Sequence, residues 1–224
     1  MSYYPLKRLL LICPVIFFFF LFASLPLFLI EHGSLVRLVN HGANETWDSF
    51  FVVFTELGNG LVFGFLILTA IFLRYYYALT LLIAFFFNGL LSFLGKHLWF
   101  RGVPRPLAYY EESAFYHINP ELSYHLTHSF PSGHTMTIFA LAFLGFAFTE
   151  NRWVRISSLI LALGVGFSRM YLLLHFYRDI YFGALCGFFC CLFALLISDW
   201  AFALYRKKLW WRSLIRVVPL PDTI

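Results

Sequence analysis

Charge is scarce in this chain. Of its 224 residues only 12% are Asp, Glu, Lys or Arg, whereas 61% are hydrophobic and 30 are phenylalanine. A soluble domain carries about 25% charged residues and fills one core with far fewer apolar side chains, so a water-soluble fold is excluded. Cysteine is scarce as well. Cys13, Cys186, Cys190 and Cys191 all fall in apolar runs, with no ligand-like spacing to histidine. They read as buried apolar side chains, and neither a disulfide framework nor a metal site is expected of them. No carboxylate cluster, internal repeat, low-complexity linker or second domain is visible, and residues 1–224 read as a single membrane-embedded domain.

What is present is a set of apolar runs long enough to cross a bilayer, which takes about 20 helical residues each. Six are read, at 9–30, 50–73, 78–95, 132–149, 156–173 and 180–202. The expected fold is all-α, a polytopic membrane protein built as a six-transmembrane-helix bundle. The first run follows Lys7 and Arg8, as a secretory signal would, but it exceeds the roughly 7–15 apolar residues of a cleaved signal, and Pro14 and Pro26 make no convincing cleavage region. It reads as a retained helix.

Six spans put both termini on one side. Lys7, Arg8, Arg74, Arg152, Arg155 and the tail cations Arg206, Lys207, Lys208, Arg212 and Arg216 fall there, which makes that side cytoplasmic. The net charge of +5 is mostly this orientation signal. The tail YRKKLWWRSLIR suits an anionic leaflet, and no nucleic-acid partner is required. Arg37, Lys96, Arg101, Arg105, Arg169 and Arg178 remain on the outer side and need another explanation.

All eight histidines fall on that outer side. For His32, His41, His97, His117, His125 and His128, avoidance of the bilayer interior suffices. Tyr109, Tyr110, Tyr116 and Tyr124 read as interfacial aromatics. His134 and His175 differ, because each sits at a helix mouth inside an unusual stretch. Three such stretches converge there: KHLWFRGVPRP (96–106), HSFPSGHT (128–135) and SRMYLLLHFYRD (168–179).

Pro131, Ser132 and Gly133 open a helix, where backbone N–H groups lack partners and the dipole is positive, and glycine lets a ligand approach. Alone, those residues would equally suit an ordinary helix start. His175 and Asp179, four apart, share a face on a helical turn. The carboxylate can hold the proton of one ring nitrogen and leave the other as a nucleophile or base, or the pair can be purely structural. Arg169, Arg105 and Lys96 nearby argue for an anion. A charge-assisted hydrogen bond contributes about 1.5–3 kcal/mol, similar to the roughly 2.5–3.5 kcal/mol that inserting one charge at mid-membrane costs. A lone cation would gain little, whereas a cluster around a phosphate offsets the insertion cost and stabilises the equatorial oxygens during transfer. His134 would supply the proton that an alkoxide leaving group needs.

Taken together, these motifs resemble the type 2 phosphatidic acid phosphatases, which share their site with vanadium haloperoxidases and glucose-6-phosphatase and carry KxxxxxxRP, PSGH and SRxxxxxHxxxD. PSGH is intact at 131–134 and SRMYLLLHFYRD at 168–179, in order and at successive helix mouths. The resemblance implies that His175 is phosphorylated, that Asp179 orients it, and that His134 protonates the leaving alcohol and later activates water. It implies that Lys96, Arg105, Arg169, Ser132 and Gly133 bind the phosphate, with no metal and no cofactor.

One departure concerns the first motif. Eight residues, HLWFRGVP, separate Lys96 from Arg105-Pro106 where the family pattern has six. This bears on Lys96, and Arg101 within the interval is a second candidate for the phosphate. By resemblance the substrate is a lipid phosphate in the bilayer: lipid A, undecaprenyl pyrophosphate, phosphatidylglycerophosphate or phosphatidic acid, with a lean toward the first two. The setting is a bacterial inner membrane with a periplasmic site. Lipid-to-lipid phosphotransfer, a non-enzymatic anion transporter and an inactive scaffold are the alternatives. The GALCG run, 183–187, is read as helix packing within one chain rather than dimerisation.

Overall fold

The computed structural model describes residues 5–204, so the basic tail assigned above to the cytoplasmic leaflet lies outside the described residues. Among the described residues the regular structure is helical: α1 (Pro5–Leu29), α2 (Ser34–Asn40), α3 (Glu45–Thr55), α4 (Gly60–Leu73), α5 (Tyr75–Leu94), α6 (Pro106–Tyr109), α7 (Gly133–Phe148), α8 (Arg152–Tyr171) and α9 (Tyr177–Leu204). Four segments are long and apolar enough to span a membrane, namely α1, α5 with the turn that follows it, α8 and α9. Leu11, Phe22 and Phe28 on α1, Leu61 on α4 and Trp200 on α9 are exposed on the outside of the bundle, as a surface solvated by lipid requires.

The other two expected spans take different forms. The 50–73 run is broken into α3 and α4, which are bent by 52° at a short 3-10 turn, Glu56–Gly58. Asn59 causes the restart: its side chain accepts the Leu61 N–H at 3.1 Å and donates to Glu56 at 2.7 Å, capping α4. The 132–149 run forms α7, of only 16 residues, or about 24 Å against a hydrocarbon core of about 30 Å. Enclosure explains how so short a helix fits, since α1, α4, α5, α8 and α9 all pack on it. The six runs therefore resolve into four full-length spans, one bent pair and one shorter central helix.

The closest approach is between α7 and α9. A Cβ on Gly183 would lie 2.8 Å from the Ser132 carbonyl, and one on Gly187 would lie 2.5 Å from that of Met136. The glycine pair thus packs inside the chain, as read from sequence. At one end of the bundle Tyr76 bonds Asp199 at 2.5 Å and Thr80 bonds Ser198 at 2.9 Å, joining α5 to α9. At the other end, the segments before α3 and around residues 95–131 cover the mouths of α7 and α9. Asn40 accepts the N–H groups of Tyr116 and His117, and His117 meets Asp48 at 2.7 Å.

Overpacking the α7–α9 contact should be felt at once. Gly187→Val should destabilise the protein by about 1–3 kcal/mol, read as a lower apparent Tm in detergent, whereas Gly64→Ala, with open space at its Cβ, should leave Tm nearly unchanged. Equal Tm values for the two variants would contradict the close approach.

Candidate active site

The N-termini of α7 and α9 are joined through Asp179. Ser132, the N-cap of α7, donates its N–H to the Asp179 carbonyl at 3.0 Å. The Asp179 carboxylate, in the first turn of α9 and fully buried, reaches back to accept the Phe176 N–H at 3.0 Å, the reciprocal half of a capping box. The same oxygen, Oδ2, accepts the Ser129 hydroxyl at 2.5 Å.

His175 stands just ahead of that cap, 1% exposed. Its Nδ1 lies 3.5 Å from Asp179 Oδ2 and 3.4 Å from Ser129 Oγ. The pair expected from four-residue spacing therefore meets, but through a helix cap rather than two positions on one helical turn. With Nδ1 turned to Asp179 and Ser129, Nε2 is left facing away from them. The chain reaches this position through Leu173, at φ 57°, a left-handed conformation that is strained for a branched side chain. The turn lets the N–H groups of Leu174 and His175 both bond the Arg169 carbonyl, at 2.9 and 3.1 Å.

Two arginines flank this array, each nearly buried. Arg105 donates from Nε to the Thr127 carbonyl at 3.1 Å and from Nη1 to that of Leu174 at 3.3 Å. Arg169 donates from Nη1 to Thr55 Oγ1 at 3.0 Å, and its buried Nε has no hydrogen-bond partner among the described residues. Lys96 is half-buried, and its Nζ lies 3.5 Å from the point where a Cβ on Gly133 would stand. A Cβ at 133 would be in ordinary contact with the ammonium and would press on the Ser92 hydroxyl at 3.3 Å.

The longer interval after Lys96 has a structural answer. Gly95–Trp99 forms a π turn, with the Phe100 N–H bonding the Gly95 carbonyl at 2.8 Å. Such a turn holds one residue more than an α-helical one, and the loop through Gly102, at φ 81°, takes up the rest. Lys96 thereby still faces Gly133. Arg101 is exposed on this loop and is not buried with Arg105 and Arg169.

Ser132 is fully buried, and its Oγ accepts the Thr135 hydroxyl at 2.9 Å. Gly133 and His134 follow as the first residues of α7, where backbone N–H groups lack intrahelical partners. His134 is half-buried and packs against Gly58, whose Cβ would lie 2.7 Å from the His134 carbonyl. All eight residues singled out by sequence thus gather at one end of the bundle. Three others join them: Ser129 on the carboxylate, Thr55 on Arg169 and Gly58 beneath His134. The run TELGNG, 55–60, carried a visible break in its apolar pattern; nothing in the sequence marked Ser129.

Electrostatically the site is positive. Lys96 and Arg169 each lie close enough to feel the charge of Arg105, the Asp179 carboxylate acts on Lys96 and Arg105, and the exposed Glu56 carboxylate acts on Arg169. Burial lowers the Arg105 guanidinium from its ordinary value, and the charge of Asp179 opposes that effect. Burial pulls His175 down to about 3 despite its contact with Asp179, so the imidazole is neutral near pH 7, the form in which it is a nucleophile.

Buried cations around a neutral, oriented imidazole form a site for a tetrahedral oxyanion, set in a helical membrane bundle. The profile of the PAP2 superfamily matches residues 73–203, more than half of the chain, and the chain belongs to that superfamily. Among solved structures, LpxE of Aquifex aeolicus is similar, with a TM-score of 0.65 and 27% identity over 74% of this chain and 94% of LpxE. The first transmembrane PAP2-type phosphatidylglycerolphosphate phosphatase from Bacillus subtilis shares the fold, with a TM-score of 0.56 and 23% identity over 92% of this chain and 100% of that one. No curated protein matches in sequence. The chain is a multi-pass membrane protein of a phosphatase family.

Two expectations follow from this geometry. Ser129→Ala should lower kcat about 10-fold or more with a smaller change in KM, because it loosens the group that orients His175 without touching the cations; an unchanged kcat would remove Ser129 from the array. Stability should also depend on His175. Its folded value is depressed, so below about pH 6.5 the unfolded chain binds a proton that the folded chain does not, and stability falls with pH. Between pH 7 and pH 5 the wild type should lose up to about 2 kcal/mol more than His175→Gln, read from apparent Tm; parallel pH profiles would refute this.

Proposed function

We propose that residues 1–224 form one membrane-embedded phosphatase unit that hydrolyses a phosphomonoester or pyrophosphate on a lipid through phosphohistidine. The observation that carries this reading is the buried Ser129–Asp179–His175 array set among Lys96, Arg105 and Arg169. His175 Nε2 attacks phosphorus, forming the N–P bond as the P–O bond to the lipid breaks. His134, as the imidazolium that a bound anionic phosphate favours, gives its proton to the departing lipid oxygen and becomes neutral. Asp179, with Ser129, holds the Nδ1 side and stabilises the positive charge that develops on the ring. The cations and the free N–H groups of α7 hold the three equatorial oxygens as negative charge shifts. Water then attacks the phosphohistidine, His134 takes its proton, and phosphate leaves with His175 neutral again.

No step requires a metal. The lipid tail stays among the apolar helices while its phosphate reaches the helix mouths, on the side read from charge placement as periplasmic in a bacterial inner membrane. A lipid A or polyprenyl pyrophosphate type of substrate is favoured.

Purified protein incubated with a panel of lipid phosphates should release phosphate, with chelator present or absent. His175→Ala should reduce release by about 1,000-fold or more while the protein stays folded. Acid-labile label from a 32P-lipid should be trapped on rapidly quenched wild-type protein and be absent from His175→Ala. Undiminished release by folded His175→Ala would exclude the assignment, and label appearing on an added lipid alcohol in place of free phosphate would make the enzyme a phosphotransferase.

A further inference from the structure

Beside the phosphate site, at the same end of the bundle, the end of α1, α2 and the start of α9 enclose a cavity of about 400 Å³. Leu27, Phe28, Leu35 and Phe182 give it apolar walls, and His32 and Arg178 stand at its polar rim. None of the phosphate-site residues lines it. The fully buried Phe176 ring stands between, with the His32 ring 4.2 Å from it and the Arg178 guanidinium carbon 5.7 Å from it.

The rim is under-satisfied. His32 Nε2 and Arg178 Nε are buried atoms with no hydrogen-bond partner among the described residues, and Arg178 Nε makes only a 3.5 Å approach to Asp179 Oδ1. Buried donors left without partners cost free energy. Glu31 also lines the cavity; water screens its exposed carboxylate and the outer part of the Arg178 side chain, which is 38% exposed, whereas Arg178 Nε and His32 Nε2 themselves are buried. Burial first, and then the charge of Arg178, lower the pKa of His32, which leaves it a neutral hydrogen-bonding group and makes Arg178 the charge at this rim.

The wall residues Leu27 and Phe28 lie in the last turn of spanning helix α1, while Glu31 and His32 follow its end. The cavity therefore runs from hydrocarbon depth to headgroup depth. We propose that it is a second binding position for the substrate lipid: it takes one hydrocarbon chain, and Arg178 takes an anionic group on the same lipid other than the phosphate attacked by His175. This rests on the phosphatase reading and narrows the substrate class to lipids that carry two anionic groups. A chain anchored here positions the lipid before chemistry, so the subsite acts on KM more than on kcat.

Three substrates in neutral micelles test this: a short-chain monophosphate, a long-chain lipid monophosphate, and the same long-chain lipid bearing a second anionic group. Wild-type KM should be lowest for the last. Arg178→Gln should raise the KM for the two-anion lipid about 10-fold or more relative to the short-chain compound, with Arg178→Lys restoring much of the loss. Leu27→Trp, which fills the cavity, should raise KM for both long-chain lipids relative to the short one.

An equal fall in kcat on all three substrates would mean that Arg178 acts through Asp179, and would overturn the subsite. So would an Arg178→Gln effect that appears only when a separate anionic lipid is added to the micelle. A wild type that hydrolyses none of the three fails the phosphatase reading instead. Binding of the two-anion lipid to His175→Ala protein, with and without Arg178→Gln, then reads the subsite alone, and equal binding overturns it.

Discussion

A carboxylate with no exposed surface, that of Asp179, is the constraint from which the rest of this site follows. An ionised carboxylate cannot be buried without donors, and here Oδ2 takes them from separate pieces of chain, the Ser129 hydroxyl and the Phe176 backbone, with the His175 imidazole 3.5 Å away, while Oδ1 has no hydrogen-bond partner among the described residues. Its own carbonyl takes the Ser132 N–H. Partnering one oxygen of this buried carboxylate thus brings two helix N-termini together, and both termini favour negative charge close by. The same bonds orient His175.

The cations are arranged on the opposite principle. Arg105 is held by carbonyls and Arg169 by a hydroxyl, neutral partners that fix geometry without cancelling charge. The buried carboxylate of Asp179 and the exposed one of Glu56 are fewer than the three cations, and the unpartnered Nε of Arg169 marks the deficit. The phosphate of the proposed substrate would supply the missing counter-charge. Donors fixed in advance need no rearrangement as charge moves in the transition state. A transport path would spread such groups through the depth of the bundle, whereas these cluster at helix mouths.

Much of this was legible because the chemistry is polar and the background is not. In a chain this apolar, a charged residue at a helix end stands out, and Lys96, Arg105, Arg169, His175 and Asp179 could be picked out by residue type and spacing. What was not legible depends on backbone shape. The 50–73 run was read as one span, and nothing in TELGNG showed that a 52° bend would carry Thr55 to Arg169 and Gly58 under His134. The eight-residue interval after Lys96 departed from the six of the family pattern, and spacing alone did not show that a π turn and the following loop would take up the difference. Ser129 was hidden because a serine two residues before a proline has no distinctive pattern, and only the fold sets it between the carboxylate and the imidazole.

Burial is graded across the site, and the gradient matches the proposed division of labour. His175, Asp179, Ser129 and Ser132 are buried, while Lys96, Gly133 and His134 are half-buried. A phosphate entering past Lys96 and His134 would bring phosphorus to the deep imidazole while the oxygen still bonded to lipid remained at the shallower one. That order suits a shallow proton donor, since the departing alcohol leaves where it entered and water for the second step arrives by the same way. Reversing the roles would put the nucleophile in partial contact with water and the proton donor out of reach of both leaving group and water. The dry interior would then strengthen electrostatic interactions around the wrong histidine.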